Sequence, residues 1–161
     1  MKAELPQSDI IHLRPLQSAD LDTFLQLGAV TCSSLHGRPN LTKSELFNKF
    51  QGFVKEFAFR PESEIWVAHS SASNYLGHLW LYNTSNRFNG NKELWVWDVS
   101  VLPEQRGQGI GKILIEYSRK RAKELECEEL WLLVAENNEV ALSLYSSVGF
   151  QSRAQMLAID I

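Results

Sequence analysis

An alternating, aromatic-rich run from Glu93 to Val101 and a helical pattern beginning at Ile110 are joined by Pro103-Glu-Gln-Arg-Gly-Gln-Gly-Ile-Gly-Lys112. Gly107, Gly109 and Gly111 allow a close backbone approach, so several N–H groups can converge on one ligand. A strand that turns through such a loop into a helix makes an anion site. The first-turn amides lack intrahelical partners, and the helix dipole favours negative charge. Diphosphate is the natural guest, and an ordinary tight turn with no guest is the alternative. A chain carrying this unit mixes strands and helices.

Two familiar phosphate loops do not fit these residues. A GxxxxGK[ST] loop ending at Gly111-Lys112 needs a glycine at the position of Arg106 and a hydroxyl where Ile113 stands. A GxGxxG fingerprint starting at Gly107 or Gly109 needs glycine where Lys112 or Leu114 stands. ATPase and dinucleotide readings are both set aside.

The remaining segments supply partners for the loop. Ile10 to Arg14 reads as a short strand ended by Pro15, and Ser18-Ala-Asp-Leu-Asp caps a helix carrying Leu21, Phe24, Leu25 and Leu27. Gly28 to Thr42, interrupted by Gly37 and Pro39, reads as a loop, and Leu46, Phe47, Phe50, Phe53, Val54 and Phe57 recur at helical steps. Strand-like runs at Glu64 to Ala68, Tyr75 to Tyr82 and Glu93 to Val101 predict an antiparallel meander. Turns at Ser70 to Asn74 and Asn83 to Asn91 separate them. After the glycine loop, Ile110, Ile113, Leu114 and Tyr117 mark a helix and Leu130 to Val134 a strand. A last helix around Ala141 to Ser147 is closed by Gly149-Phe150, and Met156 to Ile161 alternates like a final strand. The class is α/β of the α+β kind.

Composition narrows what such a domain does. With 161 residues, 44% hydrophobic and 22% charged, the chain is expected to form one soluble domain over residues 1–161, able to keep a core without disulfides or a metal. Cys32 and Cys127 lie outside any CxxC, and His12, His36, His69 and His78 show no ligand spacing, so no metal site is expected. A net charge of −3 gives no general attraction to nucleic acid or anionic lipid, and the basic run Arg119 to Lys123 reads as a solvated helix face. Met1 to Asp9 has no apolar core, and no run nears the ~18 apolar residues of a spanning helix, so a cytoplasmic protein is expected.

What remains in the loop is Arg106-x-x-Gly109-x-Gly111. With Asp98-Val-Ser-Val-Leu-Pro103 before it and Asn138-x-x-Ala141-x-x-Leu144-Tyr145-x-x-x-Gly149-Phe150 after it, the chain resembles the GCN5-related N-acetyltransferase (GNAT) family over Val99 to Phe150. The resemblance implies a mixed, mostly antiparallel sheet of six to seven strands flanked by about four helices. Their order would be strand, two helices, three strands, helix, strand, helix, two strands. It also implies acetyl-CoA as cosubstrate and no metal. The acceptor would be a primary amine of a small molecule, a peptide or a protein N-terminus or lysine, attacking directly in a ternary complex. Cosubstrate contacts are implied at Val99, Ser100, Val101, Arg106, Gly107, Gln108, Gly109, Ile110, Gly111, Lys112, Asn138, Ala141 and Tyr145. Monomer and homodimer are both open.

Acetyl transfer needs a held thioester, a neutral amine, stabilisation of the oxyanion and a proton for the departing thiolate. The resemblance makes Tyr145 the general acid, a core tyrosine being the alternative. Asn138 serves either the pantetheine arm or the N-terminus of the last helix. For the base, strict alternation sends Glu93 and Asp98 to opposite faces unless a bulge intervenes. Glu93, thirteen residues before Arg106, matches a base position of some protein-acetylating members and is preferred; Asp98, eight before it, matches an acidic position of some sugar-amine members. Either also reads as a structural charge, and some relatives deprotonate through water. Trp95 and Trp97 read as core or as the wall of an acceptor pocket. The rival to an enzyme is a silent acyl-CoA sensor.

Overall fold

The β-branched and aromatic runs pair into one sheet in the computed structural model, which describes residues 10–34, 41–159 and 161. The strands are β1 (His12–Pro15), β2 (Ser63–His69), β3 (Gly77–Ser85), β4 (Lys92–Val101) and β5 (Glu129–Leu132), side by side in chain order. β1 to β4 are antiparallel neighbours, β1 reaching β2 through two helices and short turns joining β2 to β3 and β3 to β4, with Arg14 opposite Val67, Trp66 opposite Leu79 and Leu79 opposite Val99. β5 joins β4 in parallel, as a strand reached through a helical crossover does.

The helices are α1 (Leu21–Ser34), α2 (Lys43–Phe57), α3 (Ile110–Glu124) and α4 (Glu139–Val148). α2 starts in a capping box: Glu45 N donates to Thr42 Oγ1 at 3.2 Å, and Thr42 N donates to Glu45 Oε2 at 2.7 Å. α4 starts where Asn138 Oδ1 accepts from Ala141 N at 3.1 Å and ends at Gly149, whose φ of 106° suits glycine.

Both faces of the sheet are covered, which explains why Gly77 to Leu81 are buried without alternation. On one face Phe24 of α1 and Phe50 and Val54 of α2 pack with Ile65 and Trp80. On the other, Ile110, Leu114 and Ile115 of α3 and Val148 of α4 pack with Leu79, Leu81 and Leu94.

Three sequence expectations change. α1 continues through Gly28 to Ser34 instead of breaking there. A Cβ at Gly28 would lie 2.5 Å from Phe50 Cζ and 2.8 Å from Asp98 Oδ2, so this glycine brings α1 close to the sheet. The rest of that expected loop, residues 35–40 with His36, Gly37 and Pro39, lies outside the described residues, as do residues 1–9 and Asp160. β5 ends at Leu132, and Leu133 and Val134 leave the sheet. Finally, five strands form among the described residues, not six or seven, because residues 151–159 pair with nothing. Alternation alone defines two faces; a strand also needs a hydrogen-bonding neighbour, and Met156, Leu157 and Ile159 lie exposed.

Candidate active site

One extra residue in β4 builds the site. Trp80 pairs with Asp98 while Leu81 pairs with Val96, so Trp97 bulges out of register. The bulge reverses the alternation beyond it. Asp98 thereby joins Glu93 and Trp95 on the α1/α2 face, where unbroken alternation would have sent it to the opposite one. The two carboxylates are nonetheless four steps apart along β3, from Thr84 to Trp80, or roughly 13 Å at about 3.3 Å per residue.

β4 and β5 stay paired only from Glu93/Glu129 to Val96/Leu132. Past that point β4 runs on to Val101 while the other chain turns away through Leu133, Val134 and Ala135, leaving the main chain of Val99 to Val101 without a β5 neighbour. The narrow crevice so opened, of about 50 Å³, is bordered by Trp97, Asp98, Val99, Leu133, Asn138 and Tyr145. Val99 and Val101 turn their side chains to the α3 side, and Ser100 turns its hydroxyl to the α1 side. Asn138 caps α4 and also borders the crevice.

The glycine loop leads from β4 into α3 through Pro103–Gln105, a single 3-10 turn. Gly107 and Gly109 have φ of 79° and 81°, which disfavour any side chain, whereas a Cβ at Gly111 would meet Leu144 Cδ2 at 3.3 Å. Two glycines therefore shape the turn and the third lets α3 and α4 approach. The first backbone bond of the new helix runs from Ile113 N to Gly109 O, and among the described residues no acceptor takes the N–H groups of Gly107 to Lys112. Arg106 and Lys112 are exposed beside them, with Arg106 Nε donating to Val101 O at 3.2 Å.

Asp98 and Tyr145 share the crevice. Burial first, and then the Asp98 charge, push the Tyr145 phenol up to about 12. The same two causes push the Cys32 thiol up. Asp98 itself is buried: Oδ2 meets His78 Nε2 at 2.6 Å, and Oδ1 accepts from Ser100 Oγ at 2.8 Å. Sequence reading singled out neither His78 nor Thr31, whose hydroxyl meets Ser100 Oγ at 2.6 Å. Period-two alternation does place His78 beside Trp80 on one face of β3, but its position opposite β4 depends on the bulge.

Glu93 lies apart from Tyr145. Its Oε1 accepts from Asn86 Nδ2 at 2.6 Å and its Oε2 from Trp95 Nε1 at 3.2 Å. Next to it an open trough of about 370 Å³ is lined by Tyr82, Thr84, Trp95, Val96, Trp97 and Leu133. Tyr82 stacks on Trp97 at 3.9 Å and Trp95 on Trp131 at 5.6 Å. Trough and crevice share Val96, Trp97 and Leu133, so the two lie side by side. Trp80, by contrast, is wholly core, and Trp66 packs on Tyr117 at 4.9 Å. Among the described residues no group of three His, Cys, Asp or Glu side chains can hold a metal, and no helix is long and apolar enough to cross a membrane.

The edge strand β5 parts from β4 beside a glycine loop that opens α3, and the comparisons say which family shares this fold. The family model "Acetyltransferase (GNAT) family" matches residues 32–150. The chain belongs to that family and is an N-acetyltransferase. It is 26% identical over 126 residues to "Peptidyl-lysine N-acetyltransferase YjaB" of Escherichia coli, covering 78% of this chain and 74% of that protein. It is also 26% identical to "Uncharacterized N-acetyltransferase YdgE" of Bacillus subtilis, covering 68% and 71%. In fold it is similar to "Putative acetyl transferase from Pyrococcus furiosus", with a TM-score of 0.80 at 22% identity over 94% of this chain and all of that one.

Proposed function

We propose that the chain moves the acetyl group of acetyl-CoA to a primary amine by direct attack in a ternary complex, with Asp98 as general base and Tyr145 as general acid. The observation carrying this reading is that these two residues border one crevice where β4 and β5 part. Glu93, preferred on spacing, is held by Asn86 and Trp95 at the trough, and the base is assigned to Asp98 instead.

The partner-free amides of Gly107, Gln108, Gly109, Ile110, Gly111 and Lys112, with the Arg106 and Lys112 charges, suit a diphosphate. Beyond them the open main chain of Val99 to Val101 suits an amide-bearing arm, and a β4 N–H beside the crevice suits the oxyanion. Asn138 and Ala141 flank that arm. The donor supplies the acetyl group on a thioester; the protein supplies placement and two proton positions.

As the N–C bond forms, Asp98 takes a proton from the amine nitrogen. As the C–S bond breaks, Tyr145 gives its phenolic proton to sulfur. Tyr145 then regains a proton from solvent and Asp98 releases one, leaving one amide and one thiol. Burial and the Asp98 charge keep the phenol protonated at neutral pH. Proton uptake by Asp98 removes that charge, so taking a proton at one end of the crevice eases giving one at the other.

The acceptor would approach along the aromatic trough, whose rings suit an ammonium or an apolar group beside it. CoA release over a panel of amines, peptides and protein N-termini tests the reading, beside calorimetry with acetyl-CoA, ATP and NAD. Turnover with at least one amine and selective binding of acetyl-CoA are expected. Acetyl-CoA binding with no turnover on any acceptor would favour a silent acyl-CoA sensor.

A further inference from the structure

Behind Asp98 lies a run of polar side chains that the chemistry above leaves unused. Tyr75 Oη meets His78 Nδ1 at 2.5 Å, and His78 Nε2 meets Asp98 Oδ2 at 2.6 Å. The His78 and Asp98 side chains are both 0% exposed. On its other oxygen Asp98 accepts from Ser100, which is bonded in turn to Thr31 of α1. A fixed direction follows from counting hydrogens. Burial and the Asp98 charge raise the Tyr75 phenol, so it keeps its proton and donates it to His78 Nδ1, which leaves the imidazole hydrogen on Nε2, aimed at Asp98. The donors thus run from Tyr75 through His78, and from Thr31 through Ser100, and both runs end on one carboxylate. A buried polar cluster in which every member is satisfied holds one geometry.

We propose that His78 and Tyr75 are positioning residues that hold the buried Asp98 carboxylate beside the crevice as a base, an inference that rests on Asp98 being the base. The carboxylate spans a divide. Its oxygens are anchored toward β3 and α1, while the residue itself lines the crevice with Tyr145. Without the Nε2 hydrogen the carboxylate loses one of its two anchoring donors, and its ionised form is the one disfavoured. The groups facing Asp98 are His78 on β3, Ser100 on β4, Cys32 and Thr31 on α1 and Tyr145 on α4. Farther along, Tyr75 feels the Arg14–Asp20 ion pair, whose nearest atoms are 2.6 Å apart.

The test pairs Tyr75→Phe and His78→Gln with His78→Ala and Asp98→Asn, each checked for folding by its thermal midpoint. In protein labelled with ¹⁵N-histidine, a strongly downfield His78 ring proton is expected in the parent. It should be lost in Asp98→Asn and shifted in Tyr75→Phe. With an amine that supports turnover, Tyr75→Phe and His78→Gln should lower kcat about tenfold to a hundredfold at neutral pH. The KM for acetyl-CoA should stay within about twofold, and the acid limb of kcat/KM should move up by about one pH unit. His78→Gln, which can return an N–H to the carboxylate, should keep more activity than His78→Ala. An unchanged pH profile in folded Tyr75→Phe and His78→Gln, with Asp98→Asn inactive, overturns the positioning role. Full turnover by Asp98→Asn, or none by the parent on any amine, overturns the base assignment instead. The ring-proton signal reads the donor run separately from that assignment.

Discussion

The two halves of the site are built in opposite ways. The proposed donor end is made of main chain: consecutive amides from Gly107 to Lys112, offered by a turn whose shape comes from two glycines at positive φ. The proposed acid-base end is made of side chains drawn from β3, β4, α1 and α4, none adjacent in sequence to its partner across the site. Main-chain sites tolerate changes of side chain except where a backbone angle demands glycine, whereas side-chain sites fail at single atoms. Substitutions in the two halves should therefore damage different kinetic constants.

The largest effect is expected from Asp98→Asn, which keeps the shape and removes the base: kcat should fall about a hundredfold to ten-thousandfold with little change in acetyl-CoA affinity, measured by steady-state CoA release. Tyr145→Phe should lower kcat about a hundredfold, again sparing donor affinity, and unchanged turnover when chemistry limits the rate would remove it as the acid. Gly109→Ala should do the reverse, raising the acetyl-CoA Kd about tenfold by calorimetry while leaving kcat near the parent value. A Cβ at a φ of 81° distorts the turn and costs about 1 kcal/mol of stability. If Gly109→Ala damages kcat and spares binding, the division between the halves is wrong.

The smallest effect concerns neither half directly. Arg14 donates to both Asp20 oxygens, at 2.6 and 3.0 Å, and holds that carboxyl below its ordinary range against the opposing effect of burial. A carboxyl lowered on folding adds stability above its unfolded value, about 3.9, and that stability is lost as pH falls through the lower folded value. Asp20→Asn should therefore unfold at a lower midpoint at pH 7 than the parent. The difference should shrink on acidification in a series of thermal melts.

The same contrast explains what a reader of the sequence can see. The glycine loop, Asn138 as a cap and Gly149 as a stop are local features, each legible from a few neighbouring residues because the backbone itself is the actor. The helical faces of α2 and α3 were legible too, from the spacing of Phe50 and Val54 and of Ile110 and Leu114. The bulge at Trp97 was not, since it is defined by pairing with Trp80 and Leu81 in another strand. The expectation that Asp98 faces away from Glu93 holds only for a strand without a bulge, and this one bulge reverses it. Gly28 read as a helix end because glycine has poor helical propensity, yet the close approach of α1 to Phe50 and Asp98 outweighs that cost. Met156 to Ile159 had the right pattern and no neighbour to pair with.

Straightening β4 with Trp97 kept, so that Trp97 paired with Trp80, would move more than an aromatic ring. Every residue after it would rotate half a turn, and Asp98 would point among Leu79, Leu81 and Leu114, where a carboxylate has neither water nor donor. Valines would replace it at the mouth of the cleft. Removing the extra residue outright would instead leave Asp98 opposite Trp80, so the acid depends on the residue count ahead of it and not on the kink itself.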